Sequence, residues 1–133
     1  MIETHLPSAR ILLVLCAVFN LALGLFHLCF WRLFRWRQEL PRLSFLNRQI
    51  MQVLNLCLTF LFFVMAWVSA FHGPEMTTTA LGRTLLLAFA LFWFLRAIEQ
   101  PLFFGVERSS VLFTAAFGLG ALLHLAALLT AVR

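Results

Sequence analysis

An all-α bundle of four membrane-spanning helices is the fold class this sequence predicts, and three observations carry it. The 133 residues are 63% hydrophobic and 11% charged, whereas soluble domains carry about 25% charged residues. Mean hydropathy is +0.98. Apolar runs long enough to cross a hydrocarbon layer of about 30 Å recur four times, and no period-two alternation of the strand type accompanies them. Four such runs leave no room for a separate soluble domain, so residues 1–133 are expected to form a single integral membrane domain.

The first span, ILLVLCAVFNLALGLFHLCFW (11–31), lies between Arg10 and Arg32. It exceeds the roughly 7–15 residues of a signal-peptide core and lacks a convincing small-residue cleavage site, so it is expected to stay in the membrane. The second runs from about Ile50 to Phe71, where His72-Gly73-Pro74 should end it with a glycine past the helix end and a proline that cannot continue it.

The third has the short uncharged core 84–95, flanked by Arg83 and Arg96. Those arginines are separated by roughly 20 Å of helix, so each can extend toward its nearer headgroup layer, and the span is expected over about 80–100 with Pro101 breaking it. The fourth is expected over Val111–Val132, with Ser109 and Ser110 as candidate N-caps.

The net charge of +5 rests entirely on arginine, because the sequence has no lysine. Even marginal positions such as Arg10 and Arg133 are arginine, which points to codon usage rather than to dedicated phosphate recognition. Arg32, Arg35, Arg37, Arg42, Arg48, Arg96 and Arg108 fall on the side of the 1–2 and 3–4 connections, against Arg10, Arg83 and Arg133 on the other. The imbalance predicts both termini outside and the arginine-rich connection in the cytoplasm. Trp31, Trp36 and Trp93 would then lie near the inner interface and Trp67 near the outer one, as an aromatic belt.

Between the first two spans, WRLFRWRQEL gathers Leu33, Phe34, Trp36 and Leu40 on one side of a helical wheel. Arg32, Arg35, Gln38 and Glu39 gather on the other, with Arg37 as an exception, and Pro41 ends the pattern. A short amphipathic interfacial segment is expected, with Trp31, Arg32, Arg35, Trp36, Arg37 and Arg42 anchoring it to anionic headgroups. Arginines interleaved with rings also build single-strand nucleic-acid sites, but a chain without a soluble domain argues against nucleic acid as a partner.

Polar side chains inside spans are costly and mark the places to look for function. Asn20, Gly24, His27 and Trp31 share one face of the first span, with Cys16 a turn earlier, while Arg48, Gln52, Asn55 and Thr59 share one face of the second. Arg96, Glu99 and Gln100 cluster at the inner end of the third. His27, Arg48, Gln52, Asn55, Arg96, Glu99 and Gln100 are the candidate binding residues, drawn from an inner-leaflet polar pocket in which His27 and Arg96 are the cationic or proton-transferring groups. The competing reading is that the amides hold helices together. His124 lies on a small-residue face with Ala116 and Gly120, which permits close helix packing.

An axial offset of roughly 14 Å between His27 and His124 argues against a haem held by both. Cys16, Cys29 and Cys57 lack metal-ligand spacing and read as reduced packing residues. No cofactor and no metal is predicted, and the absence of hydrolase, zinc-protease and phosphate-loop signatures leans against an enzyme. HLCFW, LSFLNRQI and FWFLRAIEQ together resemble a pattern of small bacterial four-helix membrane proteins, which implies a bacterial cytoplasmic membrane and brings no function with it. The leading expectation is an accessory or interaction subunit, partnered by a larger membrane protein or by further copies of itself. The alternative is a small transporter or a lipid- or quinone-binding module built around His27, Gln52, Asn55 and Arg96.

Overall fold

The computed structural model describes residues 6–132, and all of the regular structure in them is helical. In chain order the α-helices are α1 (Leu6–Leu28), α2 (Phe30–Leu33), α3 (Trp36–Glu39), α4 (Phe45–Phe71), α5 (Gly73–Thr78), α6 (Ala80–Phe104) and α7 (Arg108–Val132). A 3-10 turn over Leu40–Arg42 follows α3. Helices α1, α4, α6 and α7 are long and apolar enough to cross a membrane. Their outward faces carry exposed Ile11, Val18, Phe60, Leu81 and Leu122, a surface that water would not tolerate on a monomer. Arg133, counted in the charge balance, lies outside the described residues.

Each boundary has a local cause, and several differ from expectation. Helix α1 stops at Leu28, three residues short of Trp31, because the chain turns at Cys29. The amphipathic segment is two separate helical turns rather than one helix: Arg35 takes a left-handed conformation (φ 53°) that no α-helix continues through. At the start of α4, the Ser44 hydroxyl accepts from Asn47 N–H at 3.4 Å. Its far end lies at Phe71 as expected, but the cap is His72. Gly73 and Pro74 open α5 instead, where proline suits the first helical turn.

Thr79 caps α6 by accepting from Gly82 N–H at 2.9 Å. Pro101 does not break α6, which runs on to Phe104. Proline forgoes the hydrogen bond its own nitrogen would have donated, and four residues later Gly105, whose N–H still bonds to the Pro101 carbonyl (3.0 Å), ends the helix by turning to φ 72°. Ser109 and Ser110 fall inside the first turn of α7 rather than before it, and the Ser110 hydroxyl reaches the Gln100 carbonyl of α6 at 3.4 Å.

The bundle consists of two tightly packed pairs, α1 with α4 and α6 with α7, joined where α1 lies along α7. Helix α5 closes one end by packing on α6 and α7, and there Leu13, Met76, Leu86 and Ala127 form one core cluster. A second cluster, Phe62, Met65, Trp93 and Phe117, fills the middle. Helices α4 and α6 are not a packed pair; they meet through Phe62, whose ring stacks on Trp93 at 5.1 Å and lies edge-on to Phe92 at 5.9 Å. Toward the arginine-rich end they flank a hollow.

Candidate functional site: an aromatic cavity at the arginine-rich end

That hollow is a cavity of about 1030 Å³. Helix α1 contributes His27 from its last turn, α4 contributes Met51, Leu58 and Phe62, α6 contributes Trp93, Arg96, Glu99 and Gln100, and α7 contributes Ser110, Phe113 and Phe117. The short turns between α1 and α4 cover it with Phe30, Phe34, Trp36 and Leu40. Ten of its 24 lining residues are Phe or Trp, in a chain that is 15% aromatic overall.

His27 is held by two rings and an amide. Its ring stacks on Phe30 at 4.2 Å and meets the edge of Phe62 at 5.0 Å. Buried Asn55 of α4 donates from Nδ2 to the His27 carbonyl at 3.1 Å, which leaves Asn55 Oδ1 as the acceptor facing His27 Nδ1 at 2.9 Å. Nδ1 therefore carries the proton, and the neutral ring presents the Nε2 lone pair as its remaining polar atom.

Arg96 lines the cavity from α6. Its guanidinium lies 4.7 Å from the Phe117 ring centre and 5.8 Å from that of Phe104, donates to Gln100 Oε1 at 2.7 Å, and pairs loosely with Glu99 at 3.9 Å. A second cation at the mouth, Arg42, is committed to Glu39 through two hydrogen bonds of 2.9 and 3.1 Å. The arginines of α6 diverge: Arg83 turns back to the Thr78 carbonyl at 3.2 Å, while Arg96 points toward the opposite end.

Of the seven candidate binding residues, His27, Arg96, Glu99 and Gln100 line the cavity and Asn55 braces His27 from behind. Arg48 and Gln52 do not take part. Gln52 Nε2 donates to the Arg48 carbonyl of its own helix at 3.1 Å, and the Arg48 guanidinium rests over Phe45 at 5.7 Å. Among the anchor residues, Arg32, Arg35 and Arg37 are exposed, but Trp36 is buried against Phe30 and Trp31 (5.7 and 4.9 Å). Trp93 is also not in an aromatic belt: it is fully buried at the bundle centre, between Phe62 and Phe117. Cys16 is buried, whereas Cys29 and Cys57 are exposed, so packing inside the bundle describes only the first.

A second polar cluster lies deeper, and sequence reasoning did not assemble it. Trp93 Nε1 donates to Asn20 Oδ1 at 3.1 Å, and Asn20 Nδ2 donates to the Cys16 carbonyl (2.8 Å) and to His124 Nε2 (3.1 Å). With Nε2 accepting, His124 Nδ1 holds the proton and donates it to the Gly120 carbonyl at 2.7 Å. Asn20, Trp93 and His124 are each 0% exposed. Gly120 permits this approach of α1 to α7, since a Cβ there would stand 2.5 Å from the Phe19 ring, while Ala116, a turn earlier, is half-buried. Trp93 hid the cluster, because tryptophan in a membrane chain reads first as an interface residue.

No family model matches the chain, no curated protein is significantly similar to it, and neither is any solved structure.

Proposed function

We propose that this chain is a multi-pass protein of a bacterial cytoplasmic membrane, with both termini outside, whose inner-leaflet cavity holds a lipid-phase amphiphile. The observation that carries the reading is the aromatic cavity of about 1030 Å³ into which His27, Arg96, Glu99 and Gln100 converge. A concave apolar site with a few converging polar groups is the usual architecture of small-molecule sites, and this one is at the large end of the common range of about 300–1,000 Å³. Its walls suit an apolar body and its rim suits a polar head. The test is purification in mild detergent followed by organic extraction and mass spectrometry. A lipid-phase molecule in near-stoichiometric amount is expected from the wild type and absent from folded His27→Ala and Arg96→Ala proteins. A ligand-free wild type that takes up no added quinone or phospholipid overturns the reading.

A role as an accessory subunit is the second reading, favoured by one feature. Arg32, Arg35 and Arg37 stand exposed beside exposed Leu33 and Phe34, and none of the three arginines makes an ion pair among the described residues. That surface fits anionic headgroups or an acidic membrane partner. Co-migration with a larger complex after gentle extraction is the expected sign.

A further inference from the structure

Resting on the reading of the cavity as an amphiphile site, we infer that its occupant is a lipid-soluble aromatic alcohol of the quinol class rather than a phospholipid. The reciprocal bonds between His27 and Asn55 fix one tautomer, so that Nε2 is offered as a hydrogen-bond acceptor. An acceptor recognises a hydroxyl and not a carbonyl oxygen. A quinol satisfies it; the oxidised quinone, which has no hydroxyl, does not. The second ring oxygen of a quinol has a donor available in the Arg96 guanidinium on the facing helix.

Two further observations separate this ligand from a phospholipid. The cavity lining holds three carboxylates, Glu39, Glu99 and Glu107, against two guanidiniums, Arg42 and Arg96, so a phosphate inside it meets no surplus of positive charge; Arg32, Arg35 and Arg37 stand outside the lining. The interior walls are rings, with Phe30 already stacked on His27 at 4.2 Å and Phe117 under Arg96 at 4.7 Å. A flat aromatic head packs on such faces, whereas acyl chains have no need of them. An isoprenoid or alkyl tail would run between α4 and α6, which flank the cavity and meet through Phe62 rather than along their length.

The experiment is an anaerobic titration of the purified protein in detergent with a decyl-substituted benzoquinol, its quinone and its dimethyl ether, read by quenching of the tryptophans that line the cavity. The quinol is expected to bind about tenfold more tightly than either the quinone or the ether, the weight of one hydrogen bond to a fixed acceptor. His27→Leu should erase that preference, while Arg48→Gln, outside the cavity, should keep it. Should His27→Leu fail to fold, the quinone comparison on the wild type still decides the matter, because the quinone keeps the ring and the tail, adds no bulk, and has no hydroxyl to donate. Equal binding of all three compounds overturns the inference. So does displacement of the quinol by phosphatidylethanolamine at comparable concentration, which leaves the amphiphile site itself standing. Binding of neither quinol nor phospholipid removes both.

Discussion

Two asparagine–histidine pairs occupy this bundle, and they are built to opposite ends. In the deep pair, Asn20 and His124 exchange their hydrogen-bonding capacity with each other, with Trp93 and with two backbone carbonyls, so no polar atom of the two side chains is left over. In the shallow pair, Asn55 spends both ends of its amide on His27, yet His27 keeps Nε2 and stands half-buried at a cavity wall. The residue types are the same; what differs is closure. A closed network in a low-dielectric interior fixes helices against one another. An open one fixes a single side chain and leaves its remaining valence for something else.

The comparison is broken most severely at Asn20. Asn20→Leu would strand the buried Trp93 N–H and His124 Nε2 at once, and leaving buried polar groups unpaired costs about 1–3 kcal/mol each. In this bundle interhelical bonds are exchanged for others in the unfolded chain, so a loss of about 2–3 kcal/mol is expected overall. It would appear as a large drop in the midpoint of thermal or dodecyl-sulfate unfolding, with quinol preference unchanged in the protein that remains folded. Gly120→Val is next, at about 1–3 kcal/mol, because the added carbons meet the Phe19 and Trp93 rings, which must shift to make room. If either substitution is tolerated without loss, the deep pair is not holding the bundle together.

The fold was legible where solvent decides it. Four runs of apolar residues gave the four long helices, since a lipid-facing helix must be apolar around much of its surface whatever its neighbours do. Boundaries were legible only where one residue controls them. Pro101 misled because proline near the end of a helix sacrifices a single bond, and Gly73 misled because the proline after it was starting a helix. For the site, the rise along each helix puts His27 of α1 and Asn55 of α4 at similar depth, and the pair does meet. Asn20 shares that face of α1 with His27, yet its partners come from α6 and α7. Which neighbour a helix meets at each level depends on crossing geometry, and no pattern within one helix encodes it. Arg48 lay on the right face for the pocket and still fell outside it: its guanidinium rests over Phe45, while Phe34, Trp36 and Leu40 from the connection between α1 and α4 line that end of the cavity.

The shallow pair should behave as positioning rather than as a scaffold. Asn55→Leu removes both bonds to His27 while keeping a side chain of similar volume, and about 1 kcal/mol of stability is expected to go with it. The larger consequence is for recognition: with the ring free to change tautomer and turn, preference for quinol over quinone should fall severalfold. A loss of stability equal to that of Asn20→Leu, with the preference kept, would show that the two pairs do the same work.

The smallest effects sharpen the boundary of the open region. Arg48 and Arg96 are both arginines at the same end of the bundle, each resting on a phenylalanine ring. Arg48→Gln should change stability by no more than about 0.5 kcal/mol, the usual range for a surface substitution, and leave the bound molecule in place. Arg96→Gln removes the guanidinium that lines the cavity, so ligand recovered by extraction should drop several-fold even where the unfolding midpoint moves little. The two variants carry the same change of charge at the same end of the bundle. A general electrostatic attraction to anionic lipid would therefore respond to both alike, and only a site with a defined wall would tell them apart.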